Sequence, residues 1–191
     1  SKKAGLRVLN NIKKLIEESL KLKVNEKKSA VDLVNRRKFL GFSFYFTKGV
    51  AQIRIHENSY KKLKSKVRDI TNRNKGISME LRLLKLNQIT MGWINYFGIA
   101  KAKANIQNIE VWIRRRLRAC IWKQWKLPRT KCKNLVKLGM NKYKAYQYSN
   151  TRKGYWRISN SPILSKTLTN KYLEELGYMS RYKRYLKVYG T

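Results

Sequence analysis

Acidic residues are scarce in this sequence. Its 191 residues include 10 Asp and Glu against 46 Lys and Arg, which gives a formal net charge of +36 at pH 7. Because so large a surplus repels itself within a folded chain of this size, a polyanionic partner is needed to offset it. Nucleic acid is the first class of partner that this balance indicates, and an anionic membrane surface is the second.

Cysteine and histidine are almost absent as well. Cys120 and Cys132 lie twelve positions apart, with no CxxC spacing and no nearby histidine, which argues against a zinc site and a disulfide framework. We expect both to be reduced thiols. His56 is the single histidine and ends an alternating segment that is typical of a surface strand, so a histidine-based catalytic set is not predicted.

The few carboxylates are scattered along the chain. They form no D-D, D-x-D or H-x-x-E pattern, although phosphoryl-transfer chemistry needs two or more carboxylates close together to hold magnesium. No glycine-rich nucleotide loop, signal-peptide segment or long apolar run occurs either. The sequence therefore predicts no active site, no cofactor and no membrane-spanning helix in these residues.

Basic and aromatic residues are interleaved over a long stretch. Between Glu110 and Glu174 there is no acidic residue, but 17 residues are Lys or Arg. Hydrophobic residues make up 42% of the chain and aromatic residues 12%, which is more than a disordered basic tail carries. This pattern indicates a folded surface that binds nucleic acid.

Periodicity predicts a mainly α chain with a small α/β part at its N-terminus. Residues 4 to about 22 are predicted as an amphipathic helix whose apolar residues form one stripe. Residues 30–34 are predicted as a short strand. Residues 37–46 and 50–55, joined by a turn with a glycine, are predicted as a β-hairpin.

The rest of the chain is predicted to be mostly helical. Three helices are expected at about 58–70, 79–97 and 104–126, with Ser78 as an N-cap. Another helix could span 135–148, residues 154–158 form a loop or short extended piece, and a last helix begins after Asn160 and ends at Gly177. We expect three parts, at residues 1–57, 58–127 and 128–191.

Basic residues near tryptophan are the candidate contacts to nucleic acid, because arginine binds phosphate bidentately and stacks on bases. Arg114, Arg115 and Arg118 are predicted to share one face of the third helix, with Trp122 and Trp125 beside them. The alternative is a solvated face over two core tryptophans.

A second cluster surrounds Trp156, for which a simple core anchor is the alternative. The full set of predicted contacts is Arg114, Arg115, Arg118, Trp122, Lys123, Trp125, Lys126, Arg129, Lys131, Arg152, Lys153, Tyr155, Trp156 and Arg157.

Four segments, in this order, resemble the C-terminal part of group II intron reverse transcriptases, which are also maturases. Residues 9–29 resemble the block before the last one of the palm, and Phe39-Leu40-Gly41-Phe42 resembles the last block. Gly92–Phe97 and Ile109–Arg118 resemble the thumb, called domain X or the maturase domain. The resemblance covers nearly the whole chain.

The resemblance implies a palm end at 1–57, a three-helix thumb at 58–127 and a basic maturase extension at 128–191. It implies that Phe39, Leu40, Gly41 and Phe42 support the primer strand. Family members are RNA-directed DNA polymerases whose Tyr-Ala-Asp-Asp turn binds Mg²⁺, and this sequence contains no Asp-Asp. We therefore expect the chain to be inactive alone, with Mg²⁺ belonging to the full-length proteins.

The implied partners are group II intron RNA, an RNA template–DNA primer duplex, target DNA and an N-terminal finger and palm part, with no membrane. The implied role is to bind the intron RNA, to promote its splicing and to support cDNA synthesis, within a cytoplasmic ribonucleoprotein. A generic structural RNA-binding protein and a DNA-binding module of a mobile element are the alternatives.

Overall fold

The structure is a computed structural model that describes residues 1–189. It contains a small three-stranded antiparallel sheet near the N-terminus and is otherwise mainly helical, which confirms the predicted fold class. The chain divides into two units, Ser1–His56 and the residues from Glu57 onward.

The first unit begins with helix α1, Lys2–Lys14, which continues as a π-helical turn over Leu15–Ser19. The strand predicted at residues 30–34 is wrong, because this segment is irregular and leads into a 3₁₀ turn at Val34–Arg36. Asp32 accounts for the difference, since its carboxylate accepts the backbone N–H of Leu33 at 2.8 Å and pairs with Arg37 at 3.1 Å. Such local bonds compete with a strand ladder.

The sheet consists of β1 (Lys38–Phe39), β2 (Phe42–Thr47) and β3 (Val50–Ile55), paired in that order. Two-residue turns join them, at Leu40-Gly41 with φ of 49° and 84°, and at Lys48-Gly49 with φ of 49° and 77°. Positive φ at both turn residues matches the twist of the paired strands. The segment predicted as one strand over 37–46 therefore folds back on itself.

Three long helices begin the second unit, as predicted: α2 (Glu57–Ile70), α3 (Met79–Phe97) and α4 (Lys103–Gln124). The Ser78 hydroxyl caps α3 by accepting the N–H of Leu81 at 3.2 Å. The apolar stripes of the three helices meet in one core, because residues three and four apart share a helix face.

Six shorter helices follow: α5 (Pro128–Lys137), α6 (Lys142–Ser149), α7 (Tyr155–Ile158), α8 (Pro162–Thr167), α9 (Asn170–Glu175) and α10 (Arg181–Tyr189). The helix predicted over 135–148 is wrong, because Gly139 takes φ +86° and ends α5 in a turn. The helix predicted up to Gly177 is also split, since the Thr169 hydroxyl caps a new helix by accepting the N–H of Tyr172 at 3.1 Å. Residues 155–158 form one helical turn rather than an extended piece.

The last helices complete the same core. Leu135, Leu164 and Leu173 are buried with the stripes of α2, α3 and α4 in a single apolar cluster. The predicted boundary at residue 127 therefore does not separate two hydrophobic cores, and the division into palm end, thumb and extension stays a prediction.

Candidate nucleic-acid interface

Helix α4 carries arginines at four of five successive positions, from Arg114 to Arg118. Because neighbouring helical residues are rotated by about 100°, these side chains must point in different directions. The structure divides them between the interior and the surface, so each one has a different role.

Arg118 and Trp122 lie inside the fold. The Arg118 Nε donates to the carbonyl oxygen of Leu168 at 2.9 Å, and its Nη2 donates to Asn170 Oδ1 at 3.2 Å. Both side chains are buried, and burial lowers the pKa of Arg118. The prediction that Arg118 shares an exposed face with Arg114 and Arg115 is thus wrong, because α7 to α9 cover that side of α4. Trp122 matches the alternative of a core tryptophan.

Arg116 binds the C-terminal end of α2. Its Nε donates to the Thr71 hydroxyl, and its Nη2 donates to the carbonyl oxygens of Arg68 at 3.3 Å and Thr71 at 3.4 Å. Arg82 reaches the same end and donates to the carbonyl oxygens of Ile70 and Asn72. With so few carboxylates in the chain, carbonyl oxygens at the C-terminal end of α2 serve as acceptors for these two guanidinium groups.

Arg114 is paired with a buried acid. Glu110 is 1% exposed, and its Oε1 lies 3.4 Å from Arg114 Nη1 while its Oε2 accepts the backbone N–H of Arg181 at 3.1 Å. The positive charge of Arg114 is therefore largely matched within the fold.

Arg115 and Trp156 bring the two predicted clusters together. The Arg115 guanidinium carbon lies 3.8 Å from the centre of the Trp156 ring, and its Nη2 donates to the Trp156 carbonyl oxygen at 3.0 Å. The Trp156 side chain is still 39% exposed. A stacked guanidinium and indole at the surface offers a flat, positively charged platform.

Three cations surround the neighbouring ring of Tyr155. Arg73, Lys123 and Lys131 place their charged groups 5.3, 5.5 and 6.0 Å from its centre. None of the three forms an ion pair with a carboxylate within residues 1–189. We call these four residues the Tyr155 cluster. Three cations around one ring make the electrostatic potential of this part of the fold positive.

Arg73 is a member of this cluster that sequence reasoning did not find. It lies in the loop between α2 and α3, 82 positions before Tyr155. Nothing in the local pattern sets it apart from other exposed basic residues, because the contact arises only when α4 and α7 bring the two segments together.

The other predicted contacts lie around these features. Trp125 is half-buried, with its ring centre 5.8 Å from that of Trp122. Five basic residues are exposed without being brought to one point: Lys126, Arg129, Arg152, Lys153 and Arg157. Lys131 is the opposite case, because most of its side chain is buried and its ammonium lies 5.0 Å from the Trp122 ring.

The predicted primer-support block forms the first turn of the sheet. Phe39 and Leu40 are 66% and 65% exposed, whereas Phe42 is buried. Leu40 and Gly41 occupy the two turn positions with positive φ. Their predicted role stays a prediction.

Two kinds of site are not found in the part of the chain that the structure describes. No three His, Cys, Asp or Glu side chains in residues 1–189 come together as a metal site. No helix within the same residues has the length and hydropathy needed to cross a bilayer.

A comparison with protein families finds a match over the part of the chain that contains most of this surface. Residues 60–139, which include α3, α4 and α5, match the model of the group II intron, maturase-specific domain. A search of the curated proteins finds no match. The matched segment carries Arg73, Lys123 and Lys131 of the Tyr155 cluster. The match confirms the resemblance to the C-terminal part of a group II intron maturase, and residues 60–139 are the segment that carries it.

Proposed function

We propose that this protein binds folded group II intron RNA through the Tyr155 cluster and the adjacent Arg115–Trp156 stack. The match of residues 60–139 to the group II intron, maturase-specific domain supports a maturase role with group II intron RNA as the partner. The observation that carries the proposal is the set of three cations around Tyr155 that have no carboxylate partner within residues 1–189.

Binding at this surface would stabilise the RNA through its backbone. Each phosphate that a lysine or arginine neutralises releases counterions, and this release supplies much of the affinity. Structured RNA is recognised mostly by shape and by phosphate contacts, while an exposed aromatic ring can stack on an unpaired base. The intron RNA performs its own splicing chemistry, so the protein contributes binding free energy and charge neutralisation.

We further propose that the first unit supports cDNA synthesis as the end of a reverse-transcriptase palm. The exposed Phe39 and Leu40 at a strained turn favour a contact with a template–primer duplex. The aspartates and their Mg²⁺ would belong to a finger and palm part, and the assembly would act as a cytoplasmic ribonucleoprotein.

A competition experiment tests the main proposal. Binding of the protein to a group II intron RNA is measured against an unrelated structured RNA and a duplex DNA across a salt series. A preference for the intron RNA that persists at higher salt supports the proposal. Equal affinities that fall together would indicate a generic structural RNA-binding protein, and a preference for duplex DNA would indicate the DNA-binding module of a mobile element.

Variants assign the binding to the Tyr155 cluster. Changing Arg73 and Lys123 to Ala should lower the slope of log affinity against log salt by about 0.7–0.9 for each phosphate that the protein no longer neutralises. The matched controls are Lys61→Ala and Lys171→Ala, which remove the same charge from exposed lysines that face Glu57 and Glu175. If all four variants lower the slope equally, the cluster is not the site.

A further inference from the structure

Helices α5 and α6 enclose a groove that the surface described above does not include. The two helices pack against each other through the turn at Gly139. The groove between them has a volume of about 460 Å³, which lies within the range of small-ligand sites. Its walls are mostly apolar, and the exposed Tyr146 ring forms part of one wall.

The rim of this groove is positively charged. Arg129 and Lys133 from α5 and Lys142 from α6 line it, and all three side chains are exposed. None of them pairs with a carboxylate in the described chain, residues 1–189. No acidic residue occurs anywhere between Glu110 and Glu174, so both helices are free of negative charge.

A second surface cavity differs in charge. It is lined by Glu174, Lys183 and Met179, and both carboxylate oxygens of Glu174 accept from Lys183 Nζ, at 2.9 and 2.8 Å. Its positive charge is therefore partly neutralised. The α5–α6 groove has no such neutralisation from the residues that line it and is better suited to a polyanion.

We propose that the α5–α6 groove binds one unstacked base of a single-stranded RNA segment, with the flanking phosphates on Arg129, Lys133 and Lys142. This inference rests on the proposed RNA-binding function and adds a second, base-binding site to it. The base would stack on Tyr146, which is 66% exposed. Stacking on an aromatic ring between cations is how single strands are bound.

Asn150 at the end of the groove can contact the edge of the base. Its Nδ2 donates to the carbonyl oxygen of Tyr146 at 2.9 Å, which fixes the orientation of the amide. The Oδ1 then remains as an acceptor for an amino group of a base. A base-paired strand hides that edge and cannot enter the groove, so the geometry favours a single strand over a duplex.

Cys132 supplies a probe inside the groove. It is half-buried and lines the groove, whereas Cys120, the other cysteine, is fully buried. Alkylation of the native protein by iodoacetamide, followed by mass spectrometry, therefore reports on Cys132, and any modification of Cys120 reports unfolding. A single-stranded oligoadenylate at saturating concentration is expected to slow alkylation of Cys132 at least fivefold.

Two matched variants assign the protection to the base. Tyr146→Ala should abolish the protection and weaken oligoadenylate binding about tenfold, since stacking of one base contributes that much. Tyr143→Ala removes the same kind of ring from the same helix, and Tyr143 is 78% exposed and does not line the groove. It should leave both values unchanged. An abasic strand of equal length should bind more weakly and give no protection.

The outcomes separate this inference from the proposed function. Suppose that intron RNA binds with the salt dependence expected above, but no single-stranded RNA protects Cys132 from alkylation. The groove is then not a base-binding site, and the proposed function stands. Equal protection by the abasic strand or by an RNA duplex would also overturn the inference. So would protection that appears without RNA as the protein concentration rises, because a second copy would then fill the groove. If no RNA binds at all, the proposed function fails first.

Discussion

The Nε of Arg118 donates a hydrogen bond to the carbonyl oxygen of Leu168 at 2.9 Å, across 50 positions of the chain. This contact ties α4 to the turn between α8 and α9. Arg116 and Arg82 make similar bonds to carbonyl oxygens at the end of α2. A chain with 46 basic and 10 acidic residues thus uses part of its positive charge for internal structure.

Replacing Arg118 should therefore affect stability rather than RNA binding. Arg118→Ala leaves the buried Leu168 carbonyl without a donor, which costs about 1–3 kcal/mol of unfolding free energy. Urea denaturation measures this decrease. The folded fraction should bind RNA with an unchanged salt slope, because the guanidinium does not reach the surface.

Lys123→Ala is the matched control on the same helix. Its ammonium lies near the Tyr155 ring and 3.4 Å from Asn74 Oδ1 at the surface. We expect a lower salt slope for RNA binding and nearly unchanged stability. A variant of Arg118 that stays fully stable but binds RNA more weakly would contradict the division between interior and surface arginines.

Local patterns predict much of the fold. The apolar stripes and the Ser78 cap placed α3 correctly, because periodicity and capping are local properties. The breaks at Gly139 and Thr169 were missed, since each lies within a segment whose apolar spacing continues across it.

The site depends on contacts between distant segments. The sequence placed Arg118 on an exposed face because α4 has a basic side, but α7 to α9 cover that side. The approach of Arg73 to Tyr155 joins two segments that no local pattern connects. The sequence could therefore name Lys123, Lys131 and Tyr155 as candidates, but not that Arg73 meets them.

Glu110 is expected to be essential for the stability of the second unit. Glu110→Ala would leave the buried N–H of Arg181 without its acceptor and Arg114 without its partner. Removing one partner of a buried pair costs about 3–5 kcal/mol, which thermal or urea unfolding measures. Glu110→Gln should be less destabilising, because the amide oxygen can still accept from Arg181.

Glu174→Ala is the control for the removal of a negative charge. Glu174 pairs with Lys183 at the surface, where an ion pair contributes about 0–1 kcal/mol. Comparable decreases in stability for Glu110→Ala and Glu174→Ala would show that the burial of Glu110 is not what makes it important.

Stability is expected to fall in mildly alkaline solution because of Cys120. Burial raises the pKa of the Cys120 thiol above its ordinary value. Because the thiol has a higher pKa in the folded state, the folded state favours the protonated thiol. The stability that this preference contributes is fully present below the thiol pKa of the unfolded chain, about 8.5. It is lost as the pH rises from there through the folded value, by about 1.4 kcal/mol per pH unit.

The measurement is urea unfolding under reducing conditions at several pH values above 8. Cys120→Ala removes the titrating group and should flatten the curve relative to the wild type. Parallel curves for the wild type and Cys120→Ala would exclude the thiol as the cause.

The first turn of the sheet carries strain that a substitution can relieve. Leu40 has φ of 49°, a left-handed conformation that costs an ordinary L-residue about 1–2 kcal/mol. Asparagine tolerates it and is preferred in such two-residue turns, so Leu40→Asn should stabilise the first unit. Gly41→Ala, at φ of 84°, should destabilise it. Hydrogen exchange of the β1–β2 amides measures both changes. Lys48→Asn, at the same position of the second turn, is the matched variant. Slower exchange in both Asn variants would assign the increase in stability to the turn conformation rather than to the removal of the leucine side chain.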